Sequence, residues 1–199
     1  MTLDELMNEL MIDDSVAIPM TDDSDALGRV ICGSDIEIGD RSYIVLEHRN
    51  DGTTAVITKD FWNRMEFDND SGDYAESAVR NALNNEFYNE VANVVGAENI
   101  IEHEVNLAAD DGTNKGVVCR DNVSLLTTDL YRKYRDFLPA YGSWWWTATP
   151  VSKEDGYARG VCCVYGGGAL NWCDCGYSGG VRPFLILDSS VSNFSVLES

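Results

Sequence analysis

The residues that could do chemistry in this chain are few, and their spacing narrows what they can do. Cys162, Cys163, Cys173 and Cys175 are four of the six cysteines, and they stand as two close pairs able to converge across a hairpin. Zinc sites typically space their ligands C-x2-C or wider, in knuckles with fixed turns, so adjacent and one-apart pairs fit poorly. Adjacent strand residues also point to opposite faces, which keeps Cys162 and Cys163 from sharing one ion. A thiol catalyst would need a base, and the chain has two histidines. His48 follows a strand in a charged turn, and His103 sits between Glu102 and Glu104, where the carboxylates favour its charged form. Neither belongs to a recognised catalytic motif, and no base stands near Cys162 or Cys163 that would make a pair with His103 evident. We assign no catalytic residue, no metal site and no cofactor.

The remaining chemistry is contact. From Tyr157 to Gly179 the sequence holds no Lys, Glu, Gln or Met and is rich in Cys, Gly and Tyr. Every residue there except Trp172 has a codon ending in a pyrimidine. Cys, Tyr, Gly, Ala, Asp, Ser and Asn interconvert by changing the adenines of an Asn codon. Tyr165, Asn171, Trp172, Cys173, Asp174, Cys175 and Tyr177 suit a display surface: Tyr and Trp bring contact area with few rotamers to freeze, while small polar residues adapt. The plainer alternative is a Gly-rich hairpin whose glycines serve turns and bulges.

A segment of this kind needs a rigid frame, and the chain is long enough to build one. Its 199 residues suit one domain with a small N-terminal appendage: an amphipathic helix and acidic linker over 1–25, then a domain over 26–199 carrying the candidate variable segment near 157–181. With 44% hydrophobic residues the chain is globular, and its formal charge of −20 opposes a nucleic-acid partner or an anionic membrane surface. Residues 1–40 hold eleven acids against Arg29 alone, whereas residues 101–199 hold twelve acids and eight bases. The C-terminal half can therefore present a nearly neutral face. No basic n-region or membrane-length apolar run is present, so the expected location is the cytoplasm or, for a phage protein, the virion, with reduced thiols. Cys32 and Cys119 read as buried small hydrophobes.

Thr2 to Glu5 forms a capping box, and Leu3, Leu6, Met7, Leu10 and Met11 fall on one face of a short helix. That helix docks on its own domain or, alternatively, on another subunit or a tail-assembly partner. Leu27 to Cys32, Ser42 to Glu47 and Thr53 to Thr58 read as strands, the last two joined by the hairpin signal Asn50-Asp51-Gly52. Asp68 to Asp73 resembles a calcium loop superficially, but the twelfth position is Val79 instead of Glu, and we read a polar loop capping the next helix. Val79, Leu83, Phe87, Val91 and Val94 or Val95 mark a helix over 75–95 that Gly96 stops. A second helix runs from Thr128, its cap, through Leu130, Tyr131, Tyr134, Phe137 and Leu138. Trp144 to Thr147 and Val181 to Leu187 are expected as central strands, with shorter ones near 116–119, 158–165 and 169–172 and a turn at Gly166-Gly167-Gly168. Two helices beside a mostly antiparallel sheet make an α+β domain.

Five motifs in order carry a resemblance. Ser77-Ala78-Val79-Arg80-Asn81-Ala82-Leu83-Asn84, Glu86-Phe87-Tyr88, Ser124-Leu125-Leu126, Trp144 to Pro150 and Gly180-Val181-Arg182-Pro183 resemble DUF6273, a bacterial and phage domain family of uncharacterised function. That family runs S-x-x-R-x-x-L-N-x-x-F-Y, L-L-S, W-W-x-R-S-P, then G-V-R-P-A-L. Here Thr147-Ala148-Thr149-Pro150 replaces Arg-Ser-Pro, and Phe184 replaces Ala. Those departures are similar to the subset serving as variable proteins of diversity-generating retroelements, which have a C-type lectin-like fold. The resemblance implies that positions between Tyr165 and Ser178 vary, giving Tyr165, Gly167, Ala169, Asn171, Trp172, Cys173, Asp174, Cys175, Gly176, Tyr177 and Ser178 as ligand-binding residues. It also implies that Val161, Val164, Gly166 and Leu170 are framework, to which we add Cys162, Cys163 and, as one option, Trp172.

The expectation is a non-enzymatic variable protein binding a protein or other macromolecular ligand on a cell surface. The carbohydrate-coordinating pair Glu-Pro-Asn or Gln-Pro-Asp is absent, so calcium-dependent sugar binding is not implied. The alternative is a structural domain of a phage or bacterial surface assembly, in which the segment packs against neighbouring subunits and Tyr165 and Tyr177 would be buried in the assembly; a zinc or thiol-dependent enzyme comes third. Arg182 is expected to pair with a carboxylate or hold loop carbonyls after a bulge at Gly179-Gly180. Of the three tryptophans, at least one should be buried, and another could line the binding face.

Overall fold

A computed structural model describes residues 26–154 and 156–197; the N-terminal helix expected over Leu3 to Met11 lies outside them. The architecture is mixed α+β, with two helices and mostly antiparallel sheets. A six-stranded sheet contains β1 (Asp35–Ile38), β2 (Arg41–His48), β3 (Thr53–Thr58), β7 (Val123–Ser124), β12 (Phe184–Asp188) and β13 (Ser195–Val196), in the order β13-β1-β2-β3-β12-β7. A five-stranded sheet contains β4 (Asn63–Glu66), β8 (Trp145–Pro150), β9 (Gly160–Val164), β10 (Leu170–Asp174) and β11 (Ser178–Val181), in the order β10-β9-β8-β11-β4. β5 (His103–Asn106) and β6 (Val118–Asp121) pair by themselves. Only β8 and β11 run parallel among these pairs.

The period-2 alternation of the strands sorts their side chains into two cores, one on each face. Tyr43, Val45, Val56, Leu185 and Leu187 enter one core together with Trp146, Ala148, Val161 and Cys163. Ile44, Leu46, Ile57, Phe184 and Ile186 enter the other with Trp145 and Val164. Strands buried on both faces read as continuous apolar runs, which is why Trp145-Trp146 and Phe184 to Leu187 contain no polar residue.

The long helical run covers Ala78–Ala82, a wide i→i+5 turn at Leu83–Phe87, and Tyr88–Val95. Its buried residues Val79, Leu83, Phe87, Val91 and Val95 repeat every four positions, and such a row drifts around a straight α-helix by about 40° per step. The wide turn takes up that drift and keeps the row on the first core. Ser77 caps the start through Arg80 N–H, and Gly96 ends it at φ +89°. The short helix Thr128–Tyr134 covers the second core with Tyr131 and Tyr134. Its cap is Thr127, whose Oγ1 accepts from Leu130 N–H; Thr128, expected in that role, is the first helical residue.

Two strand expectations change. Leu27 to Cys32 is a 3-10 turn at Leu27–Arg29, because its amides bond to Ser189 and Val191 carbonyls instead of a ladder. The run Val181 to Leu187 is two strands in different sheets, with Arg182-Pro183 crossing between them. Gly179 and Gly180 do not form the expected bulge. They pair regularly with Met65 and Arg64 of β4. Their small size answers a close approach: a Cβ on Gly179 would lie 2.4 Å from the Trp144 ring, and one on Gly180 would lie 2.5 Å from the Phe61 ring.

Arg182 follows at 1% exposure. Its Nε and Nη2 donate to the Thr58 carbonyl at 3.0 and 2.9 Å, and its guanidinium lies over Trp145 and Tyr141 at 5.2 and 5.5 Å. Holding a carbonyl was one of the two roles expected. Burial lowers its pKa to about 10. Removing such a group leaves a cavity and an unpaired carbonyl, so Arg182→Ala should cost about 3 kcal/mol, or roughly 6–12 °C in melting temperature. Tyr177→Ala, at an exposed position, should stay within about 0.5 kcal/mol. Equal melting temperatures for the two variants would remove the division into frame and surface.

Candidate functional site

The Tyr157 to Gly179 segment folds as the expected hairpin. β9 and β10 pair from Gly160↔Asp174 to Val164↔Leu170, and the turn closes through Tyr165 N–H to the Ala169 carbonyl at 2.8 Å. Gly168 takes φ +84°, and its carbonyl accepts the Tyr131 hydroxyl at 2.7 Å, which moors the turn to the short helix. Gly166 is framework for a physical reason: a Cβ there would lie 2.6 Å from the Gly142 carbonyl carbon. Val161, Val164, Cys162 and Cys163 are buried, and Leu170 packs on the second core. β10 is the edge strand of its sheet, and Asn171 Oδ1 accepts its neighbour's Trp172 N–H at 2.8 Å.

Of the eleven expected contact residues, Tyr165, Gly167, Ala169, Asn171, Trp172, Tyr177 and Ser178 are exposed, and Asp174 and Gly176 are half-buried. Cys173 and Cys175 are corrections, because both are buried in the first core. Alternation turns Cys173 inward while Trp172 turns outward at 53% exposure, and Cys173 Sγ lies 3.3 Å from Cys163 Sγ. Trp172 is therefore surface, not framework. Trp145 and Trp146 are both buried, and Trp144 packs edge-on against Trp146.

Two residues beside the segment's contact set were missed. Arg159 donates through Nε and Nη2 to the two Asp174 oxygens at 2.9 and 2.7 Å, and through Nη1 to the Asn69 carbonyl at 2.7 Å. This pairing lowers the Asp174 pKa. Tyr157, half exposed, lines with Trp172 a cavity of about 410 Å³. The signal was present: Arg159 and Asp174 are the lone base and lone acid between positions 157 and 179.

The reactive side chains are engaged elsewhere. His48, the last residue of β2, has Nδ1 2.9 Å from Thr54 Oγ1 and Nε2 2.6 Å from the Val30 carbonyl. His103 has Nε2 2.9 Å from Ser124 Oγ, and burial lowers its pKa. The charged form expected from Glu102 and Glu104 loses to desolvation. Both rings border an open cleft of about 880 Å³, with Arg49, Arg120 and Lys133 at its wall. Cys163 lies in the first core, Cys162 is buried on the other face of β9, and burial pushes the Cys162 thiol up to about 12. Cys119, half-buried, rises to about 11. Among the described residues no cluster of three His, Cys, Asp or Glu side chains could hold a metal ion. In the loop read as a cap, Asp68 accepts from Asp70 and Ala78 N–H, while Asp73 accepts from Ala75 N–H and pairs with Lys153.

Residues 102–189 match the family model of DUF6273, a domain of unknown function. No curated protein and no solved structure matches the chain. The Ser77 to Tyr88 motif lies outside the match but clasps it: Arg80 pairs with Asp121 at 2.7 Å, and Asn84 Oδ1 accepts from Asn122 and Val123 N–H, both at 3.1 Å. No helix among the described residues is long and apolar enough to cross a membrane.

Two measurements check this description. An unfolded histidine titrates near pH 6.5, and burial lowers the pKa of native His103, so the native state binds fewer protons than the unfolded chain as pH falls through that value. Stability should therefore drop between pH 7.5 and 5.5 by more in the parent than in His103→Gln, above the range where the carboxylates titrate; equal drops in denaturation midpoint would contradict a lowered His103 pKa. Cys162, Cys163, Cys173 and Cys175 should react with a disulfide reagent only on unfolding. Rapid native reaction at any of the four would restore the thiol-enzyme reading.

Proposed function

We propose that this chain is a non-enzymatic ligand-binding variable protein, a C-type lectin-like scaffold presenting a surface between Tyr165 and Ser178 that a diversity-generating retroelement varies. One observation carries the reading. Every exposed Tyr or Trp among the described residues falls in one segment: Tyr157 at 50%, Tyr165 at 41%, Trp172 at 53% and Tyr177 at 62%. Exposed aromatic side chains concentrated on one hairpin are the composition of a contact surface. The surrounding frame supports it: Tyr131 fixes the hairpin turn through the Gly168 backbone carbonyl, and Arg159 at the hairpin base holds the Asn69 backbone carbonyl, two contacts that need no side chain of the varied surface. Tyr165 and Tyr177 are exposed on the single chain, so both are available for contact with a ligand. The engaged nitrogens of both histidines and the buried thiols favour binding over catalysis. The order of sequence motifs supports the fold reading, as do two helices packed against antiparallel sheets. The ligand is a protein or other macromolecular surface on a cell, and its affinity would come from these aromatics instead of from a coordinated ion.

The test is genomic. DNA flanking the gene should carry an imperfect repeat of the coding segment for Tyr157 to Pro183, differing mainly at adenines, beside a reverse transcriptase gene. Absence of both repeat and reverse transcriptase would overturn diversification and give the lead to a fixed interface in a surface assembly.

A further inference from the structure

The cavity beside β10 has a definite chemistry. Tyr157 and Trp172 wall it, Ala158 adds one methyl group, Gly156 and Gly160 add backbone alone, and Arg159 and Asp174 complete the lining. At about 410 Å³ it stands near the small end of ligand sites, on the scale of one anchoring side chain. Arg159 and Asp174 neutralise each other through two hydrogen bonds, and Gly176 N–H also donates to Asp174 at 3.0 Å. A charged group entering the cavity would have to displace a bidentate pair, so an uncharged ring is the occupant that leaves every polar group satisfied.

Outside the cavity the charge changes. Asp70 stands exposed next to Asn69, whose carbonyl holds Arg159, and Glu154 stands exposed three residues before Tyr157. Neither carboxylate has an ion-pair partner among the described residues, and residues 101–199 hold twelve acids against eight bases. A field of that sign attracts cationic segments and repels anionic ones.

We infer that this cavity is the anchor site of the recognition surface and takes an aromatic side chain of a partner protein, flanked in the partner by Lys or Arg. The inference rests on the binding reading above and adds two residues, Tyr157 and Arg159, to its contact and positioning set. Trp172 and Tyr157 supply the aromatic contact for the incoming ring, and Arg159 acts as a positioning residue by tying the 157–160 loop to the end of β10.

The test titrates the full chain with the peptide Ac-Lys-Phe-Lys-NH2 and reads the Gly160 amide and the Trp172 indole N–H by NMR, the indole being assigned by its loss in Trp172→Phe. Saturable shifts of both signals are expected. Affinity should fall about tenfold or more for Ac-Lys-Ala-Lys-NH2 and, read at Gly160, for Trp172→Ala or Tyr157→Ala. It should fall about threefold for Ac-Glu-Phe-Glu-NH2. Both variants alter exposed side chains, and unchanged resonances from the two cores verify their folding. No shift at about 10 mM peptide, a range far weaker than ordinary recognition, would overturn the inference. So would equal binding of the alanine peptide, which marks charge alone, or equal binding of N-acetylphenylalanine amide, which marks a small-molecule pocket. Unchanged affinity in both variants would overturn it as well. A diversifying repeat without peptide binding sinks the anchor site alone; peptide binding without a repeat sinks diversification alone.

Discussion

Arg182 carries a positive charge into the junction between the two sheets, and the chain around it is arranged to accommodate that charge. With no carboxylate partner among the described residues, its fork closes on one carbonyl, Thr58, and two aromatic rings cover its plane. Thr58 N–H in turn donates to the Pro183 carbonyl, so the crossing from β11 to β12 is locked to the end of β3 from both sides. Gly179 and Gly180 precede it because Trp144, Trp146 and Phe61 occupy the space a side chain would need. One short sequence therefore sets the spacing of the two sheets, and the hairpin that follows β8 inherits its position from it.

The same packing separates what can change from what cannot. β8 and β9 contribute side chains to both cores, so a substitution on either strand disturbs one core or the other. β10 lies at the edge, where Asn171 and Trp172 reach beyond both cores while Cys173 still points into one. The free positions are those of the edge strand and its two flanking turns. An open strand edge invites unwanted pairing, and the Asn171 side chain occupies the Trp172 N–H that would otherwise be offered.

Burial also decides the fate of the reactive groups. A thiol or imidazole becomes a catalyst when a charge or a base tunes it toward its reactive form. Here desolvation works the opposite way, raising the pKa of the Cys119, Cys162, Cys163 and Cys175 thiols and lowering that of His103, while serine, threonine and backbone oxygens engage the ring nitrogens. Local sequence suggested a charged His103 because Glu102 and Glu104 flank it. Those side chains instead lie near Arg120, at 3.6 and 2.7 Å, and the imidazole packs edge-on against Phe184.

The sequence by itself determined the elements whose signals are local. The four-residue repeat from Val79 to Val95 specified the long helix, Gly96 its end, Asn50-Asp51-Gly52 a hairpin, and the glycine run the turn that presents the aromatics. It also marked the segment where the exposed Tyr and Trp collect. What depends on distant partners was settled only by the tertiary structure. Val181 to Leu187 reads as one apolar strand because burial on both faces erases alternation, and only the packing of two sheets divides it at Arg182-Pro183. Cys173 and Cys175 look like the small residues around them until strand register turns them inward. Tyr157 and Trp172 share a cavity because Arg159 and Asp174 join across the hairpin, a contact that spacing along the chain does not encode.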